Sequence, residues 1–283
     1  MTEPDNADPA PRAPALSGLV VCRNEASHLG ECLASLRFCD ELVVVDLGSQ
    51  DGSRQVARAA GARVVVAEPV LIVEQIRARA LTHASHDWVI FLDPDERVPP
   101  VMATALVRSI ATNPDAGAIR VPRRYHLKGR PIQRGYWAGP RVDKTVAVHR
   151  HRARPVAQIH GGWRCAEGFR QVAIADAGEI VHHWADSYRR LLAQHLRYLP
   201  FEAEARAARG QRFGWSQMLI DLCVTLRADV VEHEGLAAGR GSWPLLLFHL
   251  WYEGACWLAL RRHQKHSRSQ LARADEPPPS RSW

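Results

Sequence analysis

Short uninterrupted apolar runs alternate with segments of helical periodicity through the first half of the chain. Residues 19–22, 42–46, 62–66 and 88–93 are rich in Val, Ile and Leu with little polar alternation, the pattern of strands buried on both faces. Between them, residues 27–37, 51–60 and 74–84 carry apolar side chains at helical spacing, with Ser27 and Asp51 placed as N-caps. This succession predicts an α/β chain with a mainly parallel sheet flanked by helices and right-handed crossovers. A helix over 101–112 follows Pro99 and Pro100, and a further strand is expected over 117–121. From 123 to 176 the pattern breaks into pieces rich in Arg, Gly, His and Trp, which read as loops and short antiparallel strands of the kind that carry specificity. Helical spacing returns over 188–265. There Leu191, Leu192, His195, Leu196 and Leu199 share one face, followed by 218–231 and 244–262.

The expected organisation is a disordered leader (1–17), a domain over 18–186, a helical C-terminal region (187–266) and a polar tail (267–283) with three consecutive prolines. The domain divides into 18–122 and 123–186. With 283 residues, 46% hydrophobic and 24% charged, the chain is large enough for one sizeable core with an appendage, which excludes a disulfide-stapled mini-protein. Its six cysteines form no C-x-x-C pair and no zinc spacing, and a reducing cytoplasm is the simplest setting. The start is acidic and rich in Pro and Ala, without the apolar stretch of a secretory signal. The run 245–260 is interrupted by His249 and Glu253 and is shorter than the roughly 20 residues that span a bilayer. A formal charge of +7 favours anionic partners without choosing among them.

The densest candidate chemistry is Phe91-Leu92-Asp93-Pro94-Asp95-Glu96, where an apolar strand runs into three acids. On extended backbone, two carboxylates one residue apart point the same way about 6.6 Å apart, and Pro94 biases Asp93 toward that geometry. Such hard oxygen ligands suit Mg2+ or Mn2+ carried with a diphosphate; a solvated acidic turn is the other reading. A second cluster, Asp46-Leu47-Gly48-Ser49-Gln50-Asp51-Gly52-Ser53, also ends an apolar strand and leads into a helix, its glycines letting backbone pass close to a ligand. Ligands of open parallel sheets bind beyond the carboxyl ends of strands, so Asp46 and Asp93 are expected on one edge. Arg23-Asn24-Glu25 follows the first strand at the same edge.

The succession Leu19-Val20-Val21-Cys22-Arg23-Asn24-Glu25, then Glu41 through Ser53, then Asp87 through Glu96 resembles family 2 glycosyltransferases, most of all the branch related to lipopolysaccharide core biosynthesis. The resemblance covers residues 19–121 and continues more loosely over 188–265. It implies a GT-A fold, a nucleotide-diphosphate sugar donor, a divalent metal on Asp93 and Asp95, and inversion at the anomeric carbon. By the same mapping Asp46 contacts the base or ribose, and Arg23, Asn24, Glu25, Gly48, Asp51 and Asp93 complete the donor site. Arg77 matches a basic position that faces the diphosphate, a solvent-facing helix arginine being its other reading.

Inversion requires a general base near the acceptor hydroxyl, and the candidates are Glu96, Asp143 and His160. Relatives commonly show His-Glu where this chain reads His160-Gly161-Gly162, and Arg-Leu-Phe-Arg where it reads Val146-Ala147-Val148-His149-Arg150. The acceptor expected is an envelope glycan or glycolipid. The aromatic and basic run around Trp243, Trp251, Tyr252, Trp257, Arg261 and Arg262 reads either as a core helix with a basic end or as a helix resting on an anionic membrane surface. Two rival functions remain open: a sugar-nucleotide pyrophosphorylase, which would carry a Gly-rich loop after the first strand, and a non-catalytic surface-binding protein derived from an enzyme. No G-x-G-x-x-G follows a strand, and nucleic acid is not an expected partner.

Overall fold

The computed structural model describes residues 14–133, 135–138, 143–157, 161–232 and 243–274. The strands are β1 (Leu16–Cys22), β2 (Glu41–Asp46), β3 (Arg63–Val66), β4 (Trp88–Leu92), β5 (Glu96–Arg97), β6 (Ala116–Leu127), β7 (Arg130–Pro131), β8 (Asp143–His149), β9 (Ala153–Pro155), β10 (Trp163–Cys165), β11 (Arg170–Ala173) and β12 (Ile180–Ala185). The helices are α1 (Ala26–Ser35), α2 (Ser53–Ala59), α3 (Arg77–Leu81), α4 (Pro100–Thr112), α5 (Tyr188–Ala208), α6 (Trp215–Arg227) and α7 (Trp243–Ala274). These form two compact units, Met1–His126 with Pro140–Trp184, and Leu127–Gly139 with Ala185–Trp283.

In the first unit the sheet order is β3-β2-β1-β4-β8-β6-β12-β5. The half nearest the N-terminus is parallel, with Leu19 opposite Val43 on one side and Phe91 on the other. Beyond β4 the sheet turns antiparallel, because β8 inserts between β4 and β6 with Val148 facing both Val89 and Ala118. The two faces of the parallel half are both covered, as its unbroken apolar composition requires. Leu16, Val20, Val44 and Ile90 pack with Leu29 and Leu33 of α1 and Met102 and Leu106 of α4. Leu19, Val21, Val43 and Phe91 pack on the opposite face with Ile76, Ala80 and Trp163. Burying each Val, Leu, Ile, Phe or Met among them is worth about 1.5–3 kcal/mol, so this half is the stable platform on which the strand ends are held.

Several expected boundaries move. β1 begins at Leu16, inside the expected leader, because Leu16 and Gly18 pair with Trp88 and Ile90 of β4 and the Leu16 N–H donates to Asp40 Oδ2 at 2.8 Å. Gly18 packs closely there: a Cβ would lie 2.8 Å from Leu42 Cδ2, so a larger residue would make the Leu42 side chain shift. Ser27 sits within α1 rather than capping it; Glu25 occupies the N-cap. The helix expected over 74–84 is a 3-10 turn (Val73–Gln75) followed by the short α3. α7 runs past residue 266 to Ala274, with Ser267 and Ser269 hydroxyls bonding back to the carbonyls four residues earlier.

In the second unit α5 and α7 are joined by a two-pronged ion pair, Arg206 to Glu253 at 2.9 and 2.8 Å. Trp257 is fully buried while Trp243 and Trp251 are exposed, so the aromatic run of α7 is split between core and surface. α6 exposes Trp215, Leu219, Ile220 and Val224. Among the described residues no helix is long and apolar enough to cross a membrane.

Candidate active site

The parallel register brings three polar loops to one edge. Cys22 lies opposite Asp46, and Val20 opposite Leu92, so the loops after β1, β2 and β4 leave the sheet side by side. Strands are about 4.8 Å apart, which puts the ends of β2 and β4 roughly 10 Å from each other across β1.

The loops after β1 and β2 lock together. Asn24 takes a left-handed backbone (φ 57°), its N–H donates to Ser49 Oγ at 2.9 Å, and its Oδ1 accepts the Gln50 N–H at 2.8 Å. The Glu25 N–H donates to Ser53 Oγ at 2.8 Å. Asp51 accepts the Ala26 N–H at 3.1 Å and the Ser53 N–H at 2.9 Å, satisfying orphan donors at the starts of α1 and α2. Gly48 takes the turn at φ +75°, a conformation open to glycine. Asp46 is fully enclosed, its carboxylate accepting the Ser49 N–H at 3.1 Å and pairing with Arg54 Nε at 3.0 Å. This corrects the expected contact of Asp46 with the nucleotide: with no accessible surface, it organises the loop instead. Arg23 stands exposed at the end of β1.

Beyond β4 the chain does not remain extended. The Glu96 N–H donates to the Asp93 carbonyl at 3.0 Å, closing a four-residue turn with Pro94 second, a position proline favours. The expectation that Asp93 and Asp95 point the same way from extended backbone is therefore corrected; the turn sends them to different partners. Asp93 Oδ2 accepts from Lys144 Nζ at 2.6 Å. Asp95 Oδ2 lies 3.1 Å from His182 Nε2. Glu96 is wholly buried, paired with Lys144 Nζ and with Arg123 Nη1 at 3.3 Å, and its Oε2 accepts the Asp93 N–H at 3.0 Å. Enclosed in this way, Glu96 cannot reach an acceptor hydroxyl, which corrects its candidacy as the base.

Burial pushes the Asp93 carboxyl up, but the Lys144 and Arg77 charges outweigh it and hold the group well below the usual carboxylate range. Burial also opposes ionisation of Asp95, and the His182 charge and hydrogen bond overcome it. Arg77 is not solvent-facing. Its side chain is 12% exposed, its guanidinium lies 5.6 Å from the Phe91 ring centroid, and its Nε is buried without a hydrogen-bond partner.

The Asp95 and His182 donors fit a hard divalent cation. In an octahedral shell with metal–ligand bonds near 2.1 Å, neighbouring donors are about 3.0 Å apart, close to the 3.1 Å between Asp95 Oδ2 and His182 Nε2. His182 Nδ1 is buried without a hydrogen bond, 3.9 Å from Glu96 Oε1 and beyond hydrogen-bond reach of it. Among the described residues no set of three or more His, Cys, Asp or Glu side chains is arranged to hold a metal, so these two donors leave most of a coordination shell open.

Lys144, Arg123 and His182 went unnoticed in the sequence. Lys144 begins the alternation of β8, and His182 breaks an apolar strand, Ile180-Val181-His182-His183-Trp184. A titratable side chain inside such a run was the available signal. Asp143 heads β8 opposite Pro122, and His160 lies outside the described residues.

The family model described as Glycosyl transferase family 2 matches residues 17–176. The chain is 33% identical over 123 residues to the lipopolysaccharide core biosynthesis glycosyltransferase LpsC of Rhizobium meliloti (strain 1021), covering 42% of this chain and 45% of that one. It is 36% identical over 105 residues to a TPR repeat-containing protein of Synechococcus elongatus, covering 37% of this chain and 26% of that one. The match spans less than half the length of these curated relatives. Among solved structures, the mannosyltransferase PcManGT from Pyrobaculum calidifontis, in complex with GDP-Man and Mn2+, is similar with a TM-score of 0.55 at 16% identity, covering 89% of this chain and 88% of that one. At that identity the likeness concerns the fold, which is of GT-A type. The chain belongs to glycosyl transferase family 2.

Proposed function

We propose that the chain is an inverting, metal-dependent transferase that moves a sugar from a nucleotide-diphosphate donor to a hydroxyl of an envelope glycan or glycolipid. The observation that carries this reading is the 3.1 Å pairing of Asp95 Oδ2 with His182 Nε2, beside Asp93 and Arg77 at the sheet edge where the β1 and β2 loops meet. Asp95 and His182 would hold Mg2+ or Mn2+. A cation held there would supply charge neutralisation for the departing diphosphate. Arg77, with an unused buried Nε, adds a fixed positive charge, and exposed Arg23 reaches toward the nucleotide from the end of β1. Lys144 and Arg123 hold Glu96, whose Oε1 lies 3.9 Å from His182 Nδ1. With Glu96 enclosed, the base that accepts the acceptor proton passes to Asp143 or His160. The exposed apolar positions of α6 favour a lipid-linked acceptor presented at a membrane surface.

Calorimetry with UDP and with GDP, each with Mn2+, tests the donor half: a binding signal abolished by chelator is expected. Slow hydrolysis of one member of a nucleotide-sugar panel should accompany it and fall by about 10²–10³ in Asp95→Asn and His182→Ala, the range typical of a lost electrostatic contact. Binding of equal strength without metal, or near-normal hydrolysis in both variants, would overturn the reading.

A further inference from the structure

The turn that carries Asp95 is gripped by an arginine that takes no part in the ion pairs around Glu96. Arg97 is the second residue of β5, its side chain is 12% exposed, and all five N–H donors of its guanidinium meet an acceptor. Nη1 donates to the Pro94 and Glu96 carbonyls, each at 2.8 Å, and Nη2 donates to the His28 carbonyl of α1 at 2.8 Å. Nη2 and Nε also share Glu31 Oε2, each at 3.3 Å. The two carbonyls on Nη1 flank Asp95. Between them, the Asp95 carbonyl accepts the His183 N–H at 2.8 Å, and the Asp93 carbonyl accepts from Cys32 Sγ at 3.4 Å as well as from the Glu96 N–H. Four successive carbonyls, 93 to 96, are thus held by donors from β12, from α1 and from within the turn.

From this geometry we infer that Arg97 is a positioning residue for the cation, holding Asp95 at the separation from His182 that a shared metal requires. The two donors stand 87 positions apart in the chain, and a metal site works only when its donors are held within about 0.5 Å of the productive geometry. His182 is fixed by the ladder that places it opposite Glu96. Asp95 stands in a turn, whose backbone needs an anchor from outside. A planar fork can hold two carbonyls on one nitrogen and a third on the other; a lysine ammonium in its place is a point charge that cannot span them. The ion pair with Glu31 is the lesser part of the arrangement, because Glu31 is 78% exposed and such pairs contribute little. α1 in turn starts from Glu25 and Ala26, whose N–H groups are bonded to Ser53 and Asp51 after β2, so the same anchor ties the acid turn to the neighbouring loops. The inference rests on the metal-dependent reading of this edge and names what keeps its acidic donor in place.

Manganese EPR on the full chain without nucleotide, in which the signal of the free ion is lost on binding, tests it. The parent should bind Mn2+, and Arg97→Lys and Arg97→Gln should each bind it about ten-fold more weakly, the lower end of the 10–100-fold found for groups that hold metal ligands in place. A role in charge balance alone would be rescued by lysine, and a role in folding alone would leave the affinity of the folded variants unchanged. Glu31→Gln, which removes the ion pair and keeps the carbonyl bonds, should bind as the parent does. Should neither Arg97 variant fold, hydrogen exchange on the parent decides: Mn2+ alone should slow the amides of α1 together with those of residues 94–97. Parental affinity in a folded Arg97 variant, a loss in Glu31→Gln equal to that in Arg97→Lys, or protection by Mn2+ that leaves α1 untouched would overturn the inference while the metal site stands. A parent that binds no Mn2+ overturns the metal reading as well, so the two failures are distinguishable.

Discussion

At the scale of single residues, the candidate site is organised around one buried acid. Glu96 has no contact with solvent and is neutralised by Lys144 and Arg123, which arrive from β8 and β6. Removing one partner of a buried ion pair leaves an uncompensated charge, and the penalty exceeds what the pair contributes when intact. Lys144→Met is therefore expected to destabilise the first unit by about 3–5 kcal/mol in urea unfolding. Adding Glu96→Gln to that variant should recover part of the loss, because the stranded charge is gone. A Lys144→Met protein within about 0.5 kcal/mol of the parent, the scatter of ordinary surface substitutions, would show that Glu96 is satisfied without it. The same residues explain what the sequence concealed. Asp93, Asp95 and Glu96 are contiguous and conspicuous, but their roles are set by Lys144 and His182, 48 and 87 positions away from the acids they meet. Local preference at Pro94 is compatible with either a strand end or a turn; only those distant cations decide between them.

At the scale of elements, the strands buried on both faces were legible because an unbroken apolar run has no other stable place. β1 was read three residues short, since Ser17 and Gly18 interrupt its apolar pattern and only pairing to two neighbouring strands makes them strand residues. The opposite edge of the parallel half is stapled by Glu41. It accepts from Ser17 Oγ at 2.6 Å and Ser85 Oγ at 2.9 Å, and pairs with Arg63 at 3.5 Å, joining β1, β2, β3 and the segment before β4. Burial raises the Glu41 carboxyl, but the hydrogen bonds from Ser17 and Ser85 and the Arg63 charge outweigh it, so the net shift is downward. A folded value below the unfolded one, about 4.3, means the ionised form is favoured by folding. Its stabilisation is complete above the unfolded value and disappears as pH falls through the folded one. Glu41→Gln should be less stable than the parent at pH 7, with the gap closing on acidification below about pH 4. Urea midpoints across that range check it; a gap that widens toward acid would reverse the assignment.

At the scale of the whole molecule, chemistry and packing divide along the chain in a way composition does not announce. The first unit contains the matched family segment apart from its residues 127–139, together with the loops at the ends of β1, β2 and β4. The second holds α5 to α7, where the helical periodicity was legible but the Asp229 and His249 pairing was not, being made across an irregular turn. A ligand that binds only the folded first unit raises that unit's stability by RT ln(1 + [L]/Kd), about 2.7 kcal/mol at a hundred-fold excess over Kd. Hydrogen exchange reads that increment locally, because amides exposed only by opening of the liganded region slow in proportion. With UDP or GDP plus Mn2+, exchange should slow by up to about a hundred-fold in β1, β2 and β4 and in the loops containing Asn24, Gly48 and Asp93. The amides of α6, with no fully buried side chain to link them to that opening, should exchange at unchanged rates. Protection confined to residues 185–232, with the strand-end loops unaffected, would place the nucleotide in the second unit and remove the sheet edge from the donor site.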